Sequence, residues 1–211
     1  MICSVVSGMR VSHGSIVLPL LALLTLSCPG NERAGGDPIR IAFAGPTSGP
    51  SAQDGLSAVR AIELVLERVN ESGGVGGRPV VLDVYDDAND PERARSNASS
   101  IAGQSATLAV IGHNFSTCSI AAGEVYAARG LPAVSSAATS VAVTRDNPWY
   151  FRVIYDDQAQ GRFLTAYVAK VLGAERFGIA HETDAYGAYL AEVMQATAPE
   201  VGAGVAGRWS F

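Results

Sequence analysis

Along this chain, short apolar runs alternate with longer stretches in which apolar residues recur at the i, i+3, i+4 spacing. The runs predict buried strands and the stretches predict helices. Residues 39–45 (IRIAFAG) read as a first strand. Residues 56–69 follow, with Val59, Ile62, Leu66 and Val69 at helical spacing. Gly73, Gly74, Gly76 and Gly77 end that helix and turn the chain. Residues 79–85 predict a second strand. Asp90, Pro91 and Glu92 then supply a cap, a proline at the first helical position and an acid in the first turn. Residues 108–111 read as a strand, 117–129 as a helix and 131–134 as a fourth strand. The repeat continues with a strand at 150–154 and a helix at 156–172, in which Phe163, Ala166, Tyr167 and Val171 share one side. A strand at 177–180, a helix at 186–196 and a strand at 205–211 follow. Strands alternating with helices predict an α/β fold with doubly wound parallel sheets and right-handed crossovers.

Residues 109–139 hold most of the candidate chemistry. An apolar run ends in Gly112, a polar loop follows, and Ser116 is placed to cap the next helix. The following strand ends in Ser135, Ser136, Ala137, Ala138 and Thr139. Hydroxyls and free N–H groups therefore gather at the C-terminal edge of two adjacent parallel strands, the edge at which open α/β sheets bind ligands. As an N-cap, Ser116 would present its hydroxyl and the amides of the first turn to an anion.

The totals narrow the function classes. Hydrophobic residues make up 48% of the 211 and charged residues 17%, which fits a globular chain with a real core and not a disordered one. The net charge of −5 and the lack of a basic patch speak against a nucleic-acid partner. At the N-terminus, residues 16–26 are almost wholly apolar, with Arg10 upstream and Ser27 and Cys28 at the end. That run is too short to span a bilayer and has the order of a secretion signal. The segment LTLSC resembles a bacterial lipobox, which makes Cys28 the expected lipidated residue. Met9 followed by Arg10 is a better signal start than Met1. Residues 29–38 (PGNERAGGDP) read as a polar tether. Of three cysteines, Cys3 and Cys28 fall in the signal region. Cys118 is left as a small apolar residue in a first helical turn, so neither a disulfide framework nor a metal site is expected.

Other groupings carry less. His113 and Ser116 with Asp86, Asp87 or Asp90 have the residue types of a hydrolase triad, but no G-x-S-x-G elbow surrounds the serine, and His113 reads as a loop residue. The glycine cluster at 73–77 follows a helix and lacks the Lys-Ser/Thr of a phosphate loop. Asp86, Asp87 and Asp90 do not have the spacing of a calcium loop and read as solvated loop carboxylates.

The segments IRIAFAGPTSGPSAQDG, VNESGGVGGRPVVLDVYDDANDPERA, VIGHNFST, LPAVSSAAT, YFRV and HETDAYG occur in this order. Together they resemble the leucine/isoleucine/valine-binding family of type I periplasmic binding proteins, over residues 39 to about 196. The resemblance implies two α/β lobes with ligand trapped between them. It implies a first lobe over 39–155 and the start of a second over 156–211. Carried over by position, Ser116, Ala137 and Thr139 would hold the carboxylate and ammonium of an amino acid, and Tyr186 would close over it from the second lobe. The implied role is that of an exported, lipid-anchored receptor delivering a branched-chain or related amino acid to an ABC permease, with no cofactor, no metal and no chemistry of its own. A ligand-sensing module of the same fold and an exported serine hydrolase are the alternatives. Three departures stand out. Asp54 precedes Gly55 where the family often has an aromatic residue. Asn89 and Phe115 occupy positions that form a disulfide in some members. Full-length relatives are nearly twice as long, so the second lobe is expected to be incomplete.

Overall fold

The computed structural model describes residues 36–211. The apolar N-terminal run, Cys28 and all of the tether before Gly36 lie outside the described residues. Seven strands and five helices alternate within them. The first half runs β1 (Ile39–Gly45), α1 (Ala52–Glu71), β2 (Val80–Asp86), α2 (Pro91–Ala102), β3 (Thr107–Gly112), α3 (Ser116–Arg129), β4 (Ala133–Ser135) and β5 (Tyr150–Arg152). The second half runs α4 (Asp157–Lys170), β6 (Arg176–His181), α5 (Ala185–Thr197) and β7 (Gly204–Ser210).

The first five strands form one parallel sheet in the order β2-β1-β3-β4-β5. The chain steps outward from β1 to β2, then returns past β1 to β3. Right-handed crossovers therefore put α1 on one face and α2 and α3 on the other. Helices α2 and α3 pack against each other there. Ala42, Ala44, Val110 and Ala133 from the strands meet Ala98, Ile101, Ala122 and Tyr126 from those two helices, all fully buried. The small strand residues let the helix layer sit close, and Ile101 and Tyr126 fill the volume left over. Strands β6 and β7 pair in parallel as a separate sheet, and α4 packs against α5 beside it.

Two glycines, Gly112 at the end of β3 and Gly55 in the first turn of α1, mark where backbone closes on the end of β1. A Cβ on Gly112, which has φ +125°, would fall 1.9 Å from the Ala44 carbonyl oxygen. A Cβ on Gly55 would fall 1.9 Å from the Pro46 carbonyl oxygen. Glycine is therefore required at both places for backbone to approach backbone.

The observed elements depart from the sequence expectation in three instructive places. Helix α1 starts at Ala52, four positions before the apolar period begins, because Ala52 N–H reaches Gly49 O (3.2 Å) and Asp54 N–H reaches Ser51 O (3.1 Å). The fourth strand begins at Ala133 and not at 131, because Leu131 N–H closes the end of α3 on Tyr126 O (3.0 Å) and Pro132 has no N–H for a ladder. The fifth strand ends at Arg152, and Val153 is 75% exposed.

Candidate ligand-binding cleft

In a sheet of this order the switch point lies between β1 and β3, where the loops after the two strands part to opposite sides. A cleft of about 1210 Å³ opens there. Its first wall comes from the loops after β1, β3 and β4 and the starts of α1 and α3. Its second wall comes from Gln160 of α4, the β6–α5 turn and Tyr186. Ser116, Ala137, Thr139 and Tyr186 all line this one cleft. Sequence reasoning had selected all four positions, and the fold brings them together.

The local role of Ser116 is nevertheless corrected. It does not cap α3. Phe115 is the capping residue, with extended backbone (φ −103°, ψ 144°) and no side-chain cap bond, and Ser116 is the first helical residue. Its hydroxyl, 2% exposed, accepts from Ser140 N–H at 3.2 Å. This bond ties the start of α3 to the loop after β4 and leaves the Ser116 proton free to donate. The first bond of the helix runs from Ser119 N–H to Phe115 O (2.9 Å). The amides of Ser116, Thr117 and Cys118 precede it and face the positive end of the helix dipole.

The loop carrying Ala137 and Thr139 is shaped by Ser135, which the sequence places at the strand end without a partner, and by Arg152, which the sequence does not single out. Ser135 Oγ accepts from Ala137 N–H (3.3 Å) and Ala138 N–H (2.9 Å) and donates to His113 O (2.8 Å). Arg152 donates to Thr139 O (3.0 Å), Ser140 O (2.8 Å) and Thr144 Oγ1 (3.0 Å). One guanidinium thus ties two successive carbonyls and a threonine hydroxyl of an otherwise irregular loop, as a rigid planar donor is suited to do. An arginine in a strand-like run carries no local signal for this. From the second wall, Ala185 N–H at the start of α5 donates to Thr117 Oγ1 (3.3 Å), and Gln160 of α4 reaches the Tyr186 hydroxyl (3.3 Å).

Two further expectations are overturned. Asp87 is fully buried and pairs with His113 Nδ1 at 2.6 Å, and His113, also fully buried, places Nε2 3.1 Å from the Tyr126 hydroxyl. Neither is a solvated loop residue. The reason is that β2 and β3 flank β1, so that side chains just past their ends meet over the core. With both ring nitrogens engaged and Ser116 bonded to Ser140, Ser116, His113 and Asp87 do not form a Ser–His–Asp relay. Asp86 is likewise no free carboxylate. It accepts from Thr47 N–H (2.7 Å), the Ser48 hydroxyl (2.6 Å), Ala88 N–H (3.0 Å) and Arg93 (2.7 Å). Partial burial acts to raise its pKa, but the Ser48 hydroxyl and the backbone N–H groups of Thr47, Ala88 and Ser48 outweigh it and hold the carboxyl far below the ordinary carboxylate range. Cys118 is buried, and desolvation pushes its thiol up to about 12. Among the described residues no cluster of potential metal ligands occurs, and no helix is long and apolar enough to cross a membrane.

Comparison with known proteins places this geometry. Residues 38–209 match the family described as Periplasmic binding protein. The chain belongs to that family. Among this family's curated members, an amino acid binding protein of Pseudomonas aeruginosa is 32% identical over 184 residues, covering 87% of this chain and 49% of the relative. The leucine-, isoleucine-, valine-, threonine-, and alanine-binding protein of the same organism is 29% identical over 188 residues, covering 89% and 50%. An ABC transporter substrate-binding protein from Desulfitobacterium hafniense, solved in complex with Leu, superposes with a TM-score of 0.69 at 33% identity, covering 83% of this chain and 51% of that one. This periplasmic-binding-protein chain spans about half the length of the curated relatives it matches.

Proposed function

We propose that this chain is the ligand-binding part of an extracytoplasmic solute receptor that delivers an amino acid to an ABC permease. The observation that carries the reading is the convergence of Ser116, Ala137 and Thr139 with Tyr186, a residue of the other α/β unit, on one cleft at the switch point. The free Ser116 proton and the first-turn amides of α3 suit a carboxylate. The Thr139 hydroxyl and the exposed Ala137 carbonyl are acceptors for an ammonium. Nothing in the cleft needs to react. Binding works through contacts to both walls that exist together only when the walls approach.

Replacing Ser116 or Thr139 by Ala weakens amino-acid binding by about 1–3 kcal/mol, the range for leaving a charged group short of a partner. Calorimetry on the purified chain measures it. Unchanged affinity in both variants rejects the carried-over site. The export half of the proposal rests on Cys28 as the anchor, since the apolar run ends there and a polar tether follows. Palmitate incorporation is expected to be lost in Cys28→Ser, and labelling that survives the change defeats the anchor.

A further inference from the structure

The charge of the cleft narrows its ligand. Asp54 and Glu182 line opposite walls, and among the described residues neither carboxylate has a hydrogen-bond or ion-pair partner. Asp184 also lines the cleft, with one oxygen accepting from Gly187 N–H (2.7 Å) at the start of α5. No lysine, arginine or histidine lines it. The wall contributed by the start of α1 is mostly polar, formed by Ser51, Asp54, Ser57 and Ala58. A wholly aliphatic side chain laid there would displace water from an uncompensated carboxylate and return no bond to it.

We propose that this cleft selects an amino acid whose side chain carries a positive charge, with Asp54 as the residue that sets the preference. The proposal rests on the amino-acid-binding reading above and narrows it. The carboxylate of the ligand takes the start of α3, where donors gather, and its ammonium takes the acceptors around Thr139. The side chain then extends across the cleft toward α1. Gly55 holds the α1 start against the Pro46 carbonyl, so Asp54 sits on a wall that cannot recede. Carboxylates on both walls of a cleft that no cationic residue lines make a negative potential that a cationic side chain relieves and a neutral one does not.

Pairs of ligands equal in size but unequal in charge isolate this effect. The 211-residue chain, isotope-labelled, is titrated with lysine against norleucine and with arginine against citrulline, reading the backbone amides of Thr117, Ala137 and Gly187. The cationic member of each pair is expected to bind at least about tenfold more tightly, and added salt narrows the gap. In Asp54→Asn the gap falls to about twofold or less while norleucine binding stays as it was. Norleucine or leucine binding as tightly as lysine overturns the proposal and leaves the amino-acid-binding reading in place. A lysine preference that survives Asp54→Asn undiminished also overturns it, since the determinant is then another group. If no amino acid of either kind shifts the cleft amides, the amino-acid-binding reading itself fails, and this inference fails with it.

Discussion

Asp157 is the residue at which this structure pays most visibly for its arrangement. It is fully buried at the start of α4, its N–H donates to Thr139 O (2.9 Å), and neither carboxylate oxygen has a partner among the described residues. Burial is the largest influence and raises its pKa, with the Arg152 charge among those opposing. A carboxyl whose folded pKa lies above its unfolded value of 3.8 contributes stability below that value and loses it as pH rises through the folded pKa. Asp157→Asn is therefore expected to melt higher than the parent at pH 7, by about 2–4 °C for each kcal/mol recovered, with the difference shrinking toward about pH 3. Equal melting temperatures at neutral pH would show that the charge is compensated. Asp86 has the opposite sign, because its donors keep it ionised and its stabilisation is lost only as pH falls below the ordinary carboxylate range. The two acids illustrate what a sequence hides. Asp90 could be read as a cap because its partner, Arg93 N–H, lies three residues away (2.8 Å). Asp87 could not be read as a buried partner of His113, because the pairing spans 26 residues and exists only once β2 and β3 have settled on either side of β1.

At the scale of elements, apolar runs located the strands and helical spacing or capping residues the helices, because the buried runs of β1 and β3 and the packing face of α3 leave their marks locally. It did not say which apolar faces find a cover. Phe163, Tyr167 and Val171, which share one apolar side by their spacing, are 67%, 44% and 63% exposed. The buried residues of α4 are instead Asp157, Gly161 and Thr165. Gly161 is where α5 approaches, since a Cβ there would fall 2.7 Å from Val193 Cγ1. Helix α4 thus packs through its small residues and leaves its large ones in water, a contiguous patch of the kind that promotes association. Replacing Phe163 and Tyr167 together by Ser is expected to lower the binding of a hydrophobic dye and delay concentration-dependent aggregation without lowering the melting temperature. A fall of several degrees would mean that these side chains are packed in solution. Loop shape was the least legible element property. The turn that presents Ala137 and Thr139 is set by Arg152 and Ser135 from neighbouring strands, so its sequence alone reads as a run of small residues.

Over the whole molecule, the cleft has two walls that touch through few polar contacts. The Thr117–Ala185 bond bridges them at 3.3 Å, and the chain passes from the first sheet to α4 through Val153, Ile154 and Tyr155. Val153 and Tyr155 are 75% and 59% exposed, and both Ile154 and Tyr155 border the cleft. Such a connection is where local opening is cheapest, since little buried apolar surface resists it. A ligand that touches both walls stabilises the closed arrangement only by its extra affinity for that arrangement, so protection from opening reports two-walled binding directly. Limited proteolysis of the 211-residue chain is accordingly expected to cut first within 153–156 and to leave a resistant product carrying the five-stranded sheet. A saturating amino acid that binds both walls slows the cut, and Thr117→Ala speeds it in the absence of ligand. The sheet of β1 to β5 holds the fully buried cluster around Tyr126, whereas β6 and β7 form a sheet of two strands with Trp209 61% exposed, so the asymmetry of the products follows from where the core sits. Cleavage that starts inside the first sheet would contradict this partition of stability. A cut within 153–156 that ligand leaves unchanged, at concentrations that shift the amides of Thr117 and Gly187, would mean that the amino acid is held by the first wall alone and that closure contributes nothing to its capture.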